Sequence, residues 1–263
     1  QEVQAALHNY EFTPVIQEEQ LGTGHAVLCA DSACASADQV MILCGDTPLI
    51  RPETLQAMVE QHQEKNAVVT LMTTVLDSPF GYGRIVSDPA GHIIKIVEQK
   101  DANESEQAIQ EINAGIYLVD ASFLFTALQQ VGTDNSQGEV YLTDIISIAV
   151  QGGNKVEKFC HSQAIDVLGV NSKIELAQAH AELQMRHNRE RMLNGVIMYG
   201  PEQILISPDS HIGQDTTIHS GGQISGGTKI GNESLLEAGV MLHSCQLGEN
   251  VTIGAQSVLH NCT

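Results

Sequence analysis

The sequence predicts an α/β domain followed by a parallel β-helix. Three observations carry that expectation: strand-like and helix-like runs alternate through the first two thirds of the chain, one long helical segment follows, and after it the aliphatic residues keep a strict six-residue period.

The 263 residues open on "QEVQAALHNY", which reads as the middle of a helix, and pass into a glycine-bearing turn, "QLGTGHA". "QVMILCG" then reads as a strand and "RPETLQAMVEQHQEK" as a helix. Four further strand-like runs, "AVVTLMTTVL", "YGRIVS", "IIKIVEQ" and "INAGIYLVD", lead to the helix-like "ASFLFTALQQV" and "EVYLTDIISIAVQ". Interleaving of this kind implies a mostly parallel sheet with helices on its faces, and ligands expected at the carboxyl ends of its strands. "SKIELAQAHAELQMRHNRERMLNG" reads as one amphipathic helix ending at Gly195. Beyond it Ile206, Ile212, Ile218, Ile224, Ile230, Leu236 and Leu242 fall six apart, and after a five-residue step Leu247, Ile253 and Leu259 resume the period. An inward aliphatic every sixth residue is the mark of a parallel β-helix with three faces to a turn, and this run makes about three turns. The reading divides the chain into residues 1–171, a linker helix 172–195 and a β-helix 196–263.

Twelve Lys and Arg against 32 Asp and Glu give a formal charge of -20, which repels polyphosphate backbones and anionic membranes. Nucleic acid and membrane are therefore excluded as partners. Arg51 is the one base before Lys65, so the first stretch has little to hold an anionic ligand. Six cysteines without a CxxC pair point to reduced thiols in a cytoplasmic protein. The chain begins without Met and ends without a closing element, and a stack with an open edge is expected to continue, so both ends are read as cut.

The polar motifs lie at the ends of the strand-like runs. In "LCGDTPLI" a strand ends at Gly45 and Asp46 projects into the loop, where a carboxylate can seat Mg²⁺, a cation that takes one or two protein oxygens plus phosphates and waters. Taken alone the pattern caps a turn before Pro48. In "EEQLGTGHA" the glycines allow close approach of backbone to a planar group, although glycine pairs by themselves mark ordinary loops. His25 reads as a structural or helix-start residue, and the histidines of the repeat region as solvent-facing strand positions.

With "GYGRIV", "IVEQKDA", "EINAGIYLV", "QGEVYLTDII" and "VLGVNS", in this order and before a hexapeptide tail, the series closely resembles the bacterial bifunctional N-acetylglucosamine-1-phosphate uridyltransferase/glucosamine-1-phosphate N-acetyltransferase family. The resemblance covers essentially the whole chain. It implies a Rossmann-like nucleotidyltransferase domain and a left-handed β-helix. It places Gln17, Gly22 and Thr23 against uracil, Gly83, Glu98 and Asn113 against the N-acetylglucosamine group, and Asp46 with Asn171 on Mg²⁺. It also implies transfer of a uridylyl group from UTP to the sugar 1-phosphate, acetyl-CoA as a partner of the full-length parent, and a homotrimer built on the β-helix. Two departures touch the sugar pocket: Cys44 stands where Tyr is frequent, and Ala114 where Thr is usual. The family's glycine-rich triphosphate loop has no counterpart here, and its acetyl-transfer residues lie in later coils, so this chain is expected to perform neither reaction efficiently by itself. The competing readings are a glucose- or mannose-1-phosphate nucleotidyltransferase with a similar tail, and a non-catalytic scaffold subunit. "EEQLGTGHA" with "INAGI" opposes the first, and the joint presence of Asp46, Glu98, Asn113 and Asn171 opposes the second.

Overall fold

Aliphatic runs need partners for their backbone N–H and C=O groups. In the computed structural model, which describes residues 2–263, those of the first part find them in one six-stranded sheet. The chain divides into two units, the first ending at Gly169 and the second beginning at Val170. The first unit runs α1 (Glu2–Ala6), α2 (Thr23–Leu28), β1 (Gln39–Ile42), α3 (Pro52–Lys65), β2 (Val69–Val75), β3 (Arg84–Ser87), β4 (Ile93–Val97), α4 (Glu104–Gln107), β5 (Glu111–Asp120), α5 (Ala121–Leu128), α6 (Asp144–Gln151) and β6 (Val156–Cys160). The strand order is β4-β3-β5-β2-β6, with β1 also paired to β5.

The α/β class holds, but the expected mostly parallel sheet does not form. Only β2 and β6 pair in parallel; β1 with β5, β2 with β5, β3 with β4 and β3 with β5 are antiparallel. A parallel pair needs a crossover of a dozen or more residues. Here β3 returns as β4 after the tight Asp88–Gly91 turn, and the connection 98–110 from β4 to β5 carries only the four-residue α4, too short to pack back across the sheet as a crossover helix.

Alternation along β5 sends its side chains to two cores. Tyr117 and Val119 join Leu124, Leu128, Ile145 and Ile146 of α5 and α6 on one face. Ala114, Ile116 and Leu118 join Met58 of α3 and Met72 on the other. Burial of each such aliphatic side chain contributes about 1.5–3 kcal/mol. The unforeseen strand β6 extends the sheet beyond β2.

In the second unit the long helix α7 spans Lys173–Leu193, with Ser172 Oγ accepting from Glu175 N at its start and Gly195, at φ 97°, following its end. Its amphipathic reading fails: Ile174, Leu176 and Leu193 are exposed, and the described buried side chains are Ala179 and Asn188. The helix is held to its unit by polar contacts near its C-terminus instead. Asn188 Nδ2 donates to Pro201 O and Ile204 O, each at 2.8 Å, and Arg191 Nη2 donates to Ser207 O.

The six-residue period becomes three columns of parallel strands. Ile206, Ile224, Leu242 and Leu259 pair in one column, Ile212, Ile230 and Leu247 in the second, Ile218, Leu236 and Ile253 in the third. From Val196 to Cys245 the inward residues are mostly buried, and those of the last coil are partly covered. Among the described residues no helix is long and apolar enough to cross a membrane.

Stacked coils leave no room at certain corners. A Cβ on Gly231 would sit 2.5 Å from the Gly248 carbonyl oxygen, whereas a Cβ on Gly248 meets nothing within 4 Å. Gly231→Ala is therefore expected to cost about 1–3 kcal/mol, and Gly248→Ala no more than about 0.5 kcal/mol. Thermal unfolding of the two variants side by side checks this; equal melting temperatures would refute the stacking account.

Candidate active site

One edge of β5 pairs with β2 on either side of a register break opposite Ala114–Ile116, while the other is shared. Arg84 of β3 pairs with Ile112, and β1 takes over only from Tyr117. Between them the backbone from Asn113 to Ile116 lacks a strand partner on that edge, and a cleft of about 280 Å³ opens there, lined by Thr23, Cys44, Glu98, Asn113, Gly115, Tyr117 and Thr143 among others.

The split edge is organised by hydrogen bonds. Asn113 N donates to Gly83 O at 2.9 Å, and Gly115 N donates to Asn113 Oδ1 at 3.0 Å. Asn113 Nδ2 donates to the hydroxyl of Tyr117 at 2.7 Å, which sets the orientation of the amide. Cys44, leaving β1, donates its thiol to Gly115 O at 3.3 Å. Gly83 backs Glu98: a Cβ there would lie 3.5 Å from both carboxylate oxygens. Below it Arg84, 2% exposed, donates to Tyr82 O and to Gln99 Oε1, and Gly81 N donates to the same Gln99 oxygen, so the "GYGR" loop is stitched to the segment after β4 that carries Glu98.

The "QLGTGHA" loop closes another wall. Gly24 N donates to Val140 O and Val140 N to Leu21 O, each at 2.8 Å, while Leu142 N donates to Thr23 Oγ1 at 3.2 Å. Gly22 stands at φ 111°, and a Cβ there would fall 2.6 Å from Val140 O, so this turn requires glycine. Gln17 Nε2 donates to Gly22 O at 3.1 Å and approaches His25 Nδ1 at 3.0 Å. His25 thus serves the loop's own architecture, within the first turn of α2.

Thr23, Glu98 and Asn113 therefore line one cleft, with Gly83 directly behind it and Gln17 and Gly22 supporting its loop. Asp46 lies two residues beyond the cleft-lining Cys44, on an exposed loop, and among the described residues its carboxylate has no hydrogen-bond or ion-pair partner. Asn171 lies in the second unit, where its backbone N–H donates to Glu175 Oε2 at 2.7 Å.

The electrostatics are acidic. Burial pushes the Glu98 carboxyl above the usual glutamate range; the hydrogen bond from Thr143 Oγ1, at 3.2 Å, opposes this, and the neighbouring Asp101 and Asp144 add to it. Burial, and then Asp46, raise the Cys44 thiol. Tyr117 is raised by burial first and Glu98 second, so its hydroxyl stays neutral. A cleft with a reluctant carboxylate, an oriented amide and a neutral phenol suits a hydroxyl-rich neutral group fixed by hydrogen bonds.

Residues 2–182 match the nucleotidyl transferase family model, and residues 227–261 the bacterial transferase hexapeptide model of six repeats. The chain is 51% identical over 262 residues to the bifunctional protein GlmU of Desulfotalea psychrophila, covering 99% of this chain and 77% of that protein. The chain belongs to the bifunctional GlmU family of nucleotidyl transferases. The GlmU of Pelobacter propionicus is 45% identical over 94% of this chain and 54% of its own length. That of Streptococcus equi subsp. zooepidemicus is 43% identical over 98% and 56%. The chain thus spans little more than half of these last two relatives.

In this GlmU-family chain, sequence reasoning did not single out Tyr117, Thr143, Arg84 or Gln99. Thr143 had a signal, since it sits inside "QGEVYLTDII". Tyr117 had none, because a tyrosine in an apolar strand reads as core.

The raised Glu98 carries a pH signature. Its folded-state value lies above the unfolded one, so as pH rises from the ordinary glutamate range the folded chain holds more protons than the unfolded chain and stability falls. Glu98→Gln removes that dependence. The variant is expected to melt with the parent near pH 4 and above it near pH 7, both values approximate and set by the unperturbed carboxylate range. Calorimetric scans across this window check it, and a difference that is the same at every pH would contradict it.

Proposed function

We propose that this chain carries the uridylyltransferase site of its family, joining UTP and N-acetylglucosamine-1-phosphate to form UDP-N-acetylglucosamine and pyrophosphate. The observation that carries the reading is the convergence of Thr23, Glu98 and Asn113 on the gap in the β5 edge, with Gly83 behind them. Those residues come from separate strands and loops, and all four are groups that the motif resemblance assigns to uracil or to the sugar.

In this reading Gln17, Gly22 and Thr23 present the base-reading loop, and Gly83, Glu98 and Asn113 orient the N-acetylglucosamine group. An oxygen of the sugar phosphate attacks the α-phosphorus of UTP; the new P–O bond forms as the bond to the β-phosphate oxygen breaks, and pyrophosphate leaves with the electron pair. The attacking phosphate is already anionic at neutral pH, so no general base is needed, and catalysis rests on alignment and charge neutralisation. The motif resemblance assigns Asp46 and Asn171 to Mg²⁺, and of the two Asp46 is the residue in the first unit that would hold it. The unpartnered Asp46 carboxylate fits a cation that takes few protein ligands, and the described residues contain no group of three or more His, Cys, Asp or Glu side chains that would form a closed cage. Bound there, Mg²⁺ neutralises charge on the phosphates. We further propose a cytoplasmic homotrimer assembled on the β-helix, in a full-length parent that also acetylates glucosamine-1-phosphate from acetyl-CoA.

Calorimetric titration of the chain with UDP-N-acetylglucosamine, with and without Mg²⁺, tests the pocket. Asn113→Ala is expected to weaken binding about tenfold, the loss of one or two hydrogen bonds to a neutral group. Unchanged affinity in the variant, or no binding by the folded parent chain, would remove the assignment.

A further inference from the structure

The segment leaving β6 ends in a single 3-10 turn, Ala164–Asp166, and the Asp166 side chain is 1% exposed. A carboxylate so deep is tolerated where cationic and hydrogen-bonding groups meet it. Arg51 Nε donates to Asp166 Oδ2 at 2.8 Å, and His161 Nε2 lies 3.1 Å from the same oxygen. These residues come from two places: Arg51 immediately precedes α3, at the end of the loop that holds Asp46, while His161 and Asp166 follow β6.

The loop from residue 43 to 51 is also anchored at its start, where Cys44 donates its thiol to Gly115 O at 3.3 Å, and at Ile50, which packs against the Met58 core. Thr47 Oγ1 donates to Cys44 O at 2.8 Å, and Leu49 is 4% exposed; Gly45, Asp46 and Pro48 are exposed. Arg51 is also the one Lys or Arg before Lys65. In the structure that single base closes with its Nε on a buried carboxylate of the same chain.

We propose that Asp166, with Arg51 and His161, is a positioning cluster for Asp46: it ties the end of the Asp46 loop to the exit of β6 and so holds the carboxylate where a divalent cation is taken. This rests on the reading of Asp46 as a metal ligand. None of the three lines the cleft at the β5 edge, so removal of the cluster is expected to act on metal binding before it acts on the organic ligand.

The test uses Mn²⁺, which shares the oxygen-ligand preference of Mg²⁺ and whose free ion is counted by its paramagnetic resonance signal. The chain is titrated with Mn²⁺ at saturating UDP-N-acetylglucosamine, and so are Arg51→Gln, Arg51→Lys, Asp166→Asn and Asp46→Asn. Metal-free UDP-N-acetylglucosamine affinity and melting temperature are measured on each. Arg51→Gln and Asp166→Asn are expected to weaken Mn²⁺ about tenfold, as outer-layer supports of a metal site do, with metal-free ligand affinity unchanged and Arg51→Lys recovering most of the loss. Asp166→Asn leaves Arg51 half-exposed to water, so it keeps the test open if Arg51→Gln does not fold. Unchanged Mn²⁺ affinity in the folded variants overturns the proposal, and so does an equal loss of metal-free ligand affinity, which would make the cluster a general support. Parental Mn²⁺ affinity in Asp46→Asn, or no Mn²⁺ uptake by the parent chain, removes the metal reading itself and the positioning role with it.

Discussion

Backbone hydrogen bonding along β5 is the constraint from which most of the first unit follows. The strand is ten residues long and needs partners on two edges. One edge is met by β2, with a single register break between Leu71 and Thr73, but β1 and β3 are four residues each and enter at opposite ends of the other edge. The uncovered interval between them is where a ligand can approach backbone and side chains together. Asn113 and Tyr117 flank that interval, and their mutual hydrogen bond keeps the amide from rotating. A one-residue slip of β5 would exchange its two faces, sending Tyr117 and Val119 to the core that now holds Ile116 and Leu118. The opposed apolar sets on the two faces forbid that slip.

Buried polar groups show what the cleft was shaped for. An isolated hydroxyl or carboxyl in the core is costly, and a packed apolar side chain would serve stability better. Glu98 nevertheless lies half-buried beside Asp101 and Asp144, and Tyr117 is fully buried with its hydroxyl on Asn113. Such arrangements persist where a site needs a fixed hydrogen-bonding pattern more than it needs the last increment of stability. Asp166 belongs to the same category, with its charge met by Arg51 and His161.

The second unit obeys a different rule. Each short strand satisfies its backbone through the coil above and below, so stability accumulates by neighbour pairs. Inward Ile and Leu fill the interior, while Thr216, Thr228 and Ser234, all buried, turn their hydroxyls to backbone carbonyls at the corners. α7 joins this unit through Asn188 rather than through an apolar stripe, which explains why its Ile174 and Leu176 remain exposed.

The sequence by itself determined what depends on local period and local chemistry. The β-helix was legible because its repeat is a covalent spacing: an aliphatic side chain every sixth residue returns to the same interior wherever the coil begins. Most strand and helix runs of the first unit, β6 excepted, were legible in the same way, and the motif resemblance had already singled out Thr23, Gly83, Glu98 and Asn113; that Gly22 must be glycine came only from its φ of 111° and the nearness of Val140 O. Tertiary structure alone decided the direction of strand pairing, because alternation of elements does not say which edges meet once a tight turn replaces a crossover. It also decided that Tyr117 serves Asn113, that Thr143 restrains Glu98, and that Arg51 closes on Asp166, 115 positions later in the chain. Those contacts join residues distant in sequence, and their energies come from burial and geometry that no local pattern encodes.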